Sequence, residues 1–352
     1  MQPCQIEIRP CGTAALKLPA LGMGCWAFGG GEYWGPRSQN DVDQLTRRAL
    51  DFGCNYFDTA ESYNGGASEE SLGRALKGIP RDQVTIGTKI SPSNTAPKSL
   101  VTHCEASLRR LQTSYIDIYM VHWPITLSAI RHFNGDEVNA PNALEVFAKL
   151  DQLRREGKIR CIGVSNFGRG RLEEALSAGV EIAVNELPYS LLTRAIEIDI
   201  LPYCRSKGIG VIGYMALMQG VLSDVYSALA DVPMWRRRTR HFDSQLTPNC
   251  RHGLNGVQRE TEAALAAIRC IAKKCRMTTA EIALKWALAN SNLASSLCGS
   301  RNINQLEMNI KAASIPLDSE VVEQLNRATQ SLLVKLGPSF DYYESPENDR
   351  TR

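Results

Sequence analysis

The chain has 352 residues, 43% hydrophobic and 22% charged, the balance of a globular protein rather than a disordered or fibrous one. Its formal net charge of +3 gives no reason to expect nucleic acid or an acidic membrane surface as a partner, and no run approaches the roughly 18 apolar residues of a membrane span. The 11 cysteines are odd in number and irregularly spaced, without a C-x-x-C pair or a metal-ligand spacing to histidine, so reduced thiols in a cytoplasmic protein and no metal site are expected.

The start, "MQPCQIEIRPCGTAALKLP", lacks the basic-then-apolar form of a signal peptide. Residues 5–18 read as a short hairpin turning near Gly12-Thr13. A rhythm of apolar strands and amphipathic helices follows. "LGMGCW" is strand-like and "NDVDQLTRRALDFG" helical. "NYFDT" is a strand, followed by "SEESLGRALKGI", a helix expected to be capped by Ser68. "QVTIGTKI", "YIDIYMVHW", "IRCIGVSN", "EIAVNE", "IGVIGYM" and "LASSLCGS" complete the strands, each followed sooner or later by a helix, the last being "INQLEMNIKAA". Eight such units predict a closed (β/α)8 barrel, a TIM barrel, with an N-terminal β-hairpin and long loops on its C-terminal face. The prediction is one domain over 1–352, with irregular stretches at about 123–141 and 219–256 and a tail from about 331 to 352.

The C-terminal ends of barrel strands carry the chemistry of this fold. Those ends are Trp26, Asp58, Lys89, His122, Ser165-Asn166, Glu186, Tyr214 and Gly299-Ser300-Arg301. Asp58, Lys89 and His122 end consecutive strands, so the barrel makes them neighbours. A lysine paired with an aspartate and placed beside the Tyr63 phenol would lower that phenol from its usual value of about 10, making it a proton donor near neutral pH. An inert buried ion pair capped by a tyrosine is the alternative.

"FDTAESY", "IGTKI", "YMVHWP", "GKIRCIGVSNF" and "GSRNINQLEMN", in this order, resemble the signatures of the aldo-keto reductases over roughly 5–330. "WGP", "YSLLTRAIE" and "DYYESPEN" are closer to the bacterial-type branch. The resemblance implies an oxidoreductase that reduces an aldehyde or ketone to an alcohol with NADPH, NADH being the less favoured cofactor. It makes Tyr63 the general acid, Lys89 and Asp58 its supports, and His122 the group that orients the carbonyl. It assigns cofactor contacts to Cys25, Trp26, Asp58, Ser165, Asn166 and Glu186. Tyr214 would stack on the nicotinamide, and Met215, Leu217 and Gly220 would follow the pyrophosphate. Gly299, Arg301, Gln305 and Asn309 would hold the adenosine end, with Arg301 suited to a 2′-phosphate. The partner is then a small carbonyl compound, and whether the protein oligomerises is not readable. A cofactor-binding regulatory subunit resembling the potassium-channel β subunits is the other reading, and alcohol oxidation the other direction.

Glu186 departs from the glutamine usual in the family, and a negative charge there would favour the oxidised, cationic nicotinamide. Trp26, Trp34 and Trp123 are expected to wall the substrate region. "GMGCWA" matches part of a dinucleotide fingerprint, but "FGGGEYWGP" follows where a helix should open, so the match is set aside. "WRRRTRHF" is either a lid on the cofactor or a solvated basic loop. His103, His132, His241 and His252 receive no role.

Overall fold

The computed structural model describes residues 6–136, 139–247 and 250–352; Gln5, where the hairpin was expected to begin, lies outside them. Strands β1 (Ile8–Pro10) and β2 (Lys17–Pro19) pair antiparallel, with Arg9 opposite Leu18. The turn between them docks on the strand openings through Thr13 N–H to the Gly208 carbonyl, at 2.7 Å. Cys11 and Leu18 of this hairpin join the lumen cluster with Ile118, Met120 and Val184, so the hairpin plugs the N-terminal end.

Eight parallel strands close the barrel: β3 (Leu21–Gly24), β4 (Tyr56–Asp58), β5 (Thr85–Ile90), β6 (Ile116–Val121), β7 (Ile159–Ser165), β8 (Val184–Pro188), β9 (Gly210–Tyr214) and β10 (Leu293–Cys298). They pair in chain order, and β10 closes onto β3 with Ser296 opposite Leu21. Between them run α1 (Gln39–Asp51), α2 (Ala67–Ala75), α3 (Pro97–Leu111), α4 (Leu127–Phe133), α5 (Ala143–Arg155), α6 (Arg169–Ser177), α7 (Ile200–Ser206), α8 (Gln258–Lys274) and α9 (Thr279–Ala289). After β10 come α10 (Ile303–Ser314) and α11 (Ser319–Leu336).

The period of two along each strand decides what reaches the lumen. Tyr56 and Asp58 point inward while Phe57 packs outward among the helices. The Tyr56 ring fits because its flanking positions are glycine. A Cβ on Gly22 would lie 2.6 Å from its Cδ1, and one on Gly87 2.9 Å from its hydroxyl. Tyr56 thus forms the floor under Asp58, and its hydroxyl donates to Oδ2 at 3.4 Å.

Three expectations change. Ser68 does not cap α2: the cap is Gly66, in the left-handed region at φ 94, while Ser68 is buried and donates to the Cys25 carbonyl at 2.7 Å. The stretch 123–141 contains α4, whose N-cap Thr126 accepts from Ala129 N–H. The tail is ordered rather than irregular from 331. Helix α11 runs to Leu336, and the remainder folds back over the barrel mouth. There Gly168 N–H donates to the Thr351 carbonyl at 2.8 Å; a Cβ on Gly168 would sit 2.6 Å from that oxygen, so no larger residue fits. No helix among the described residues is long and apolar enough to cross a membrane.

Candidate active site

The strand ends open into one cleft of about 1370 Å3, larger than a typical small-ligand pocket. At its base Lys89 is wholly buried. Its ammonium is bonded to Asp58 Oδ1, donates to the Thr59 carbonyl at 3.1 Å, and lies 3.3 Å from Glu186 Oε1 and 3.4 Å from the Tyr63 hydroxyl. An ion pair this deep is held by mutual attraction against desolvation, and removing one partner typically costs about 3–5 kcal/mol.

Tyr63 belongs to a short 3-10 turn, Tyr63–Gly66, that brings its ring back over the strand ends. The ring packs against Trp26 at 5.6 Å and edge-on to His122 at 5.6 Å. Burial pushes the phenol above its ordinary value; Lys89 opposes this, while Asp58 and Glu186 reinforce it. The expectation that Lys89 would bring the phenol down is therefore corrected. Burial of the phenol in the closed site outweighs the attraction of the ammonium, which is already paired with Asp58. The phenol is protonated at neutral pH, the form required of an acid.

Glu186 carries a second correction. Burial, then the neighbouring Asp58, pushes its carboxyl well above the usual range despite Lys89. Its Oε2 is buried without a hydrogen-bond partner. The negative charge expected here is largely suppressed, and with it the bias toward an oxidised cofactor.

His122 is depressed well below its ordinary value by burial and by Lys89, so the ring is neutral. Ser62 Oγ lies 3.5 Å from its Nδ1, which leaves Nε2 toward the cleft as the donor when Ser62 donates. Asn166 follows β7 with φ 62, a left-handed conformation that asparagine tolerates. That turn lets its Nδ2 reach the His122 carbonyl and Ser165 Oγ, both at 3.1 Å, while Oδ1 accepts from Tyr214 at 2.7 Å.

Every residue expected in the site lines this cleft except Lys89, which lies beneath it. Cys25, Trp26, Ser165, Asn166, Glu186, Tyr214, Met215, Leu217 and Gly220 run along it toward Gly299, Arg301, Gln305 and Asn309. At that far end Gln305 Oε1 accepts from Arg301 N–H at 2.8 Å, and Asn309 donates to Ser300 at 3.1 Å. Arg37, absent from the sequence reading, donates to the Arg301 carbonyl and braces the backbone there without lining the cleft. Trp34 and Trp123 also line the cleft.

The basic segment is not a solvated loop. Arg236 donates to Tyr226 at 2.8 Å and lies over Trp34, Arg237 turns back onto the Val232 and Ala230 carbonyls, and Arg240 is buried against the Leu336 and Ser339 carbonyls. Arg236 Nε, Arg238 Nε and Trp34 Nε1 are buried donors without partners. Beside this segment Cys250 Sγ sits 2.9 Å from His252 Nε2, yet no group of three metal-ligating side chains exists among the described residues.

A long cleft with unpaired donors along its length and Arg301 at its far end fits a dinucleotide. A tyrosine, a lysine, an aspartate and a neutral histidine at its base fit proton transfer to a carbonyl oxygen. This is the equipment of a nicotinamide-dependent oxidoreductase. The aldo/keto reductase family model matches residues 20–330, and the chain belongs to that family. An NADH-specific methylglyoxal reductase of Escherichia coli is 33% identical over 350 residues, covering 90% of this chain and 99% of that protein. An aldo-keto reductase of Bacillus subtilis is 29% identical, covering 95% and 97%. Among solved structures, a Klebsiella pneumoniae aldo-keto reductase in complex with NADPH superposes with a TM-score of 0.68 at 25% identity, covering 98% of this chain and 99% of that one.

Proposed function

We propose that this oxidoreductase reduces an aldehyde or ketone to an alcohol, with Tyr63 as proton donor. The observation that carries the reading is the buried cluster in which Tyr63, Lys89, Asp58 and His122 meet at the base of one cleft. Bound in the cleft, a reduced nicotinamide would supply the hydride. Asn166 and Ser165 would hold its carboxamide, Tyr214 would pack on the ring, and Arg236 would face the pyrophosphate. His122 Nε2–H and the Tyr63 hydroxyl would converge on the substrate oxygen, polarise the carbonyl and stabilise the charge that develops on it. Tyr63 then passes its proton to that oxygen. Lys89, held by Asp58, stabilises the phenolate left behind.

The Arg301 guanidinium at the adenosine end supports NADPH over NADH, since guanidinium recognises phosphate through two parallel hydrogen bonds. The complete catalytic set favours an enzyme over a binding-only subunit, which does not need a poised acid. Free thiols at the described cysteines support a reducing compartment such as the cytoplasm. The test is consumption of NADPH with a panel of aldehydes and ketones, with Tyr63→Phe alongside. Turnover by the wild type that collapses in the variant is expected; full activity in Tyr63→Phe would remove the proposed acid.

A further inference from the structure

The C-terminal tail brings charge to the end of the cleft beyond His122. Arg350 is nearly inaccessible to solvent, at 3% exposure, and lines the cleft. Its guanidinium stacks on the Trp123 ring at 3.9 Å. Nε and Nη2 donate to the two oxygens of Asp341, at 2.7 and 2.8 Å, which fixes the fork, while Nη1 is buried with no partner. A buried guanidinium nitrogen left unpaired at a cleft wall is costly unless a ligand accepts from it.

Two more arginines stand on the same wall. Arg251 is held by Glu344 at 2.6 Å and donates to His132 Nδ1 at 2.6 Å. Arg238 lies over the Tyr343 ring at 5.6 Å, and its Nε also lacks a partner. The three guanidinium groups line the cleft, whereas their counter-ions Asp341 and Glu344 do not. Three positive charges against two negative ones leave one in excess, on the cleft side. The field is felt locally: burial, then Arg251 and Arg350, holds His132 down at about 4.

We propose that this wall is a carboxylate-binding site, and that the carbonyl substrates of the enzyme carry a carboxylate group. Arg350 supplies Nη1, the donor that Asp341 leaves unpaired, Trp123 backs the guanidinium plane, and Arg251 and Arg238 add the surrounding positive charge. A single excess charge matches a carboxylate monoanion better than a phosphate dianion. The inference rests on the carbonyl-reductase reading for the reaction, but not for the anion site itself.

The test therefore has two arms on the full chain. In the first, 4-carboxybenzaldehyde and its methyl ester are compared as substrates with NADPH. The carboxylate is expected to be favoured by roughly tenfold to a hundredfold in kcat/KM, chiefly through KM, as suits a charge-assisted pair. Arg350→Met should bring the ratio close to one. Because Arg350 also ties down the tail, Arg251→Met, at a more exposed guanidinium, is the second variant and should lower the ratio by a smaller factor. In the second arm, binding of benzoate, benzamide and phenyl phosphate is followed by tryptophan fluorescence in the presence of NADP+. Benzoate bound more tightly than the other two, and weakened in both variants, supports the site whether or not either aldehyde is turned over. Equal binding of benzoate and benzamide, or benzoate binding unchanged in both variants, overturns it; tighter binding of the phosphate overturns the carboxylate assignment. Failure to turn over any aldehyde, with benzoate binding intact, refutes the reductase reading alone.

Discussion

Replacing Glu186 by glutamine is expected to stabilise the protein at neutral pH. The carboxyl is wholly enclosed, with Oε1 3.3 Å from the Lys89 ammonium and Oε2 unpartnered beside Asp58. Its folded-state proton affinity is raised well above the ordinary value of 4.5 by burial and by Asp58. A carboxyl raised in this way binds more proton in the folded state than in the unfolded one. Stability from this group is therefore present below the ordinary value and lost as pH rises toward the folded value. Glu186→Gln keeps an acceptor for Lys89, turns the orphan oxygen into an NH2 that can donate to Asp58, and does not titrate. The gain over wild type should grow by at most about 1.4 kcal/mol per pH unit above the ordinary value, which bounds it at about 3.5 kcal/mol at pH 7. Urea unfolding of both proteins at several pH values between about 5 and 8 reads this directly. A variant less stable than wild type at pH 7, or a difference that stays constant across the range, would refute the reasoning.

Other outcomes are expected from the same geometry. Lys89→Met leaves Asp58 without its counter-ion in a dry site and should cost about 3–5 kcal/mol at neutral pH, with part of the loss recovered on acidification as Asp58 takes up a proton; equal losses at pH 5 and pH 8 would contradict this. Tyr63→Phe should lower carbonyl reduction by at least about two orders of magnitude, with cofactor binding measured by fluorescence retained. Arg301→Ala should weaken NADPH far more than NADH in direct binding; parallel losses for both cofactors would show that no 2′-phosphate contact is made there. Among the described thiols, Cys270 alone is exposed and should react first with a thiol reagent, whereas Cys54 and Cys298, buried and pushed up to about 12, should react only on unfolding.

The barrel and the base of its site were legible because both rest on short-range pattern. Asp58, Lys89 and His122 each end an apolar run, and consecutive strands in a closed parallel barrel leave them no option but to meet. The direction of the Tyr63 shift is not legible in the sequence because the cost of burying the phenol, which outweighs Lys89, depends on the closed site around it. That Glu186, more than a hundred residues away, presses on the same ammonium is a tertiary fact. Ser68 looks like a cap because hydroxyls accept from helix N–H groups, but α2 already begins at Ala67, so Ser68 lies inside its first turn and its hydroxyl donates to the Cys25 carbonyl. Helix α11 lies beyond the eighth βα unit, where the repeat no longer guides the reading, although Leu325, Leu332 and Leu336 bury one of its faces. Arg350 offered no local signal at all. Its meaning comes from Trp123, met only when the chain end returns to the mouth.

The return of the segment after α11 to the mouth makes one wall of the cleft depend on chain that lies outside the repeated βα units. The barrel closes when β10 pairs with β3, yet the wall beside His122 awaits Arg350, which comes only after α11. During synthesis the catalytic base of the cleft can form while its substrate end is still open to water. A truncation that spares every catalytic group would leave a folded barrel with a cofactor groove but an unfinished substrate chamber. Loss of Arg350 would open that wall and also leave the buried Asp341 without its counter-ion.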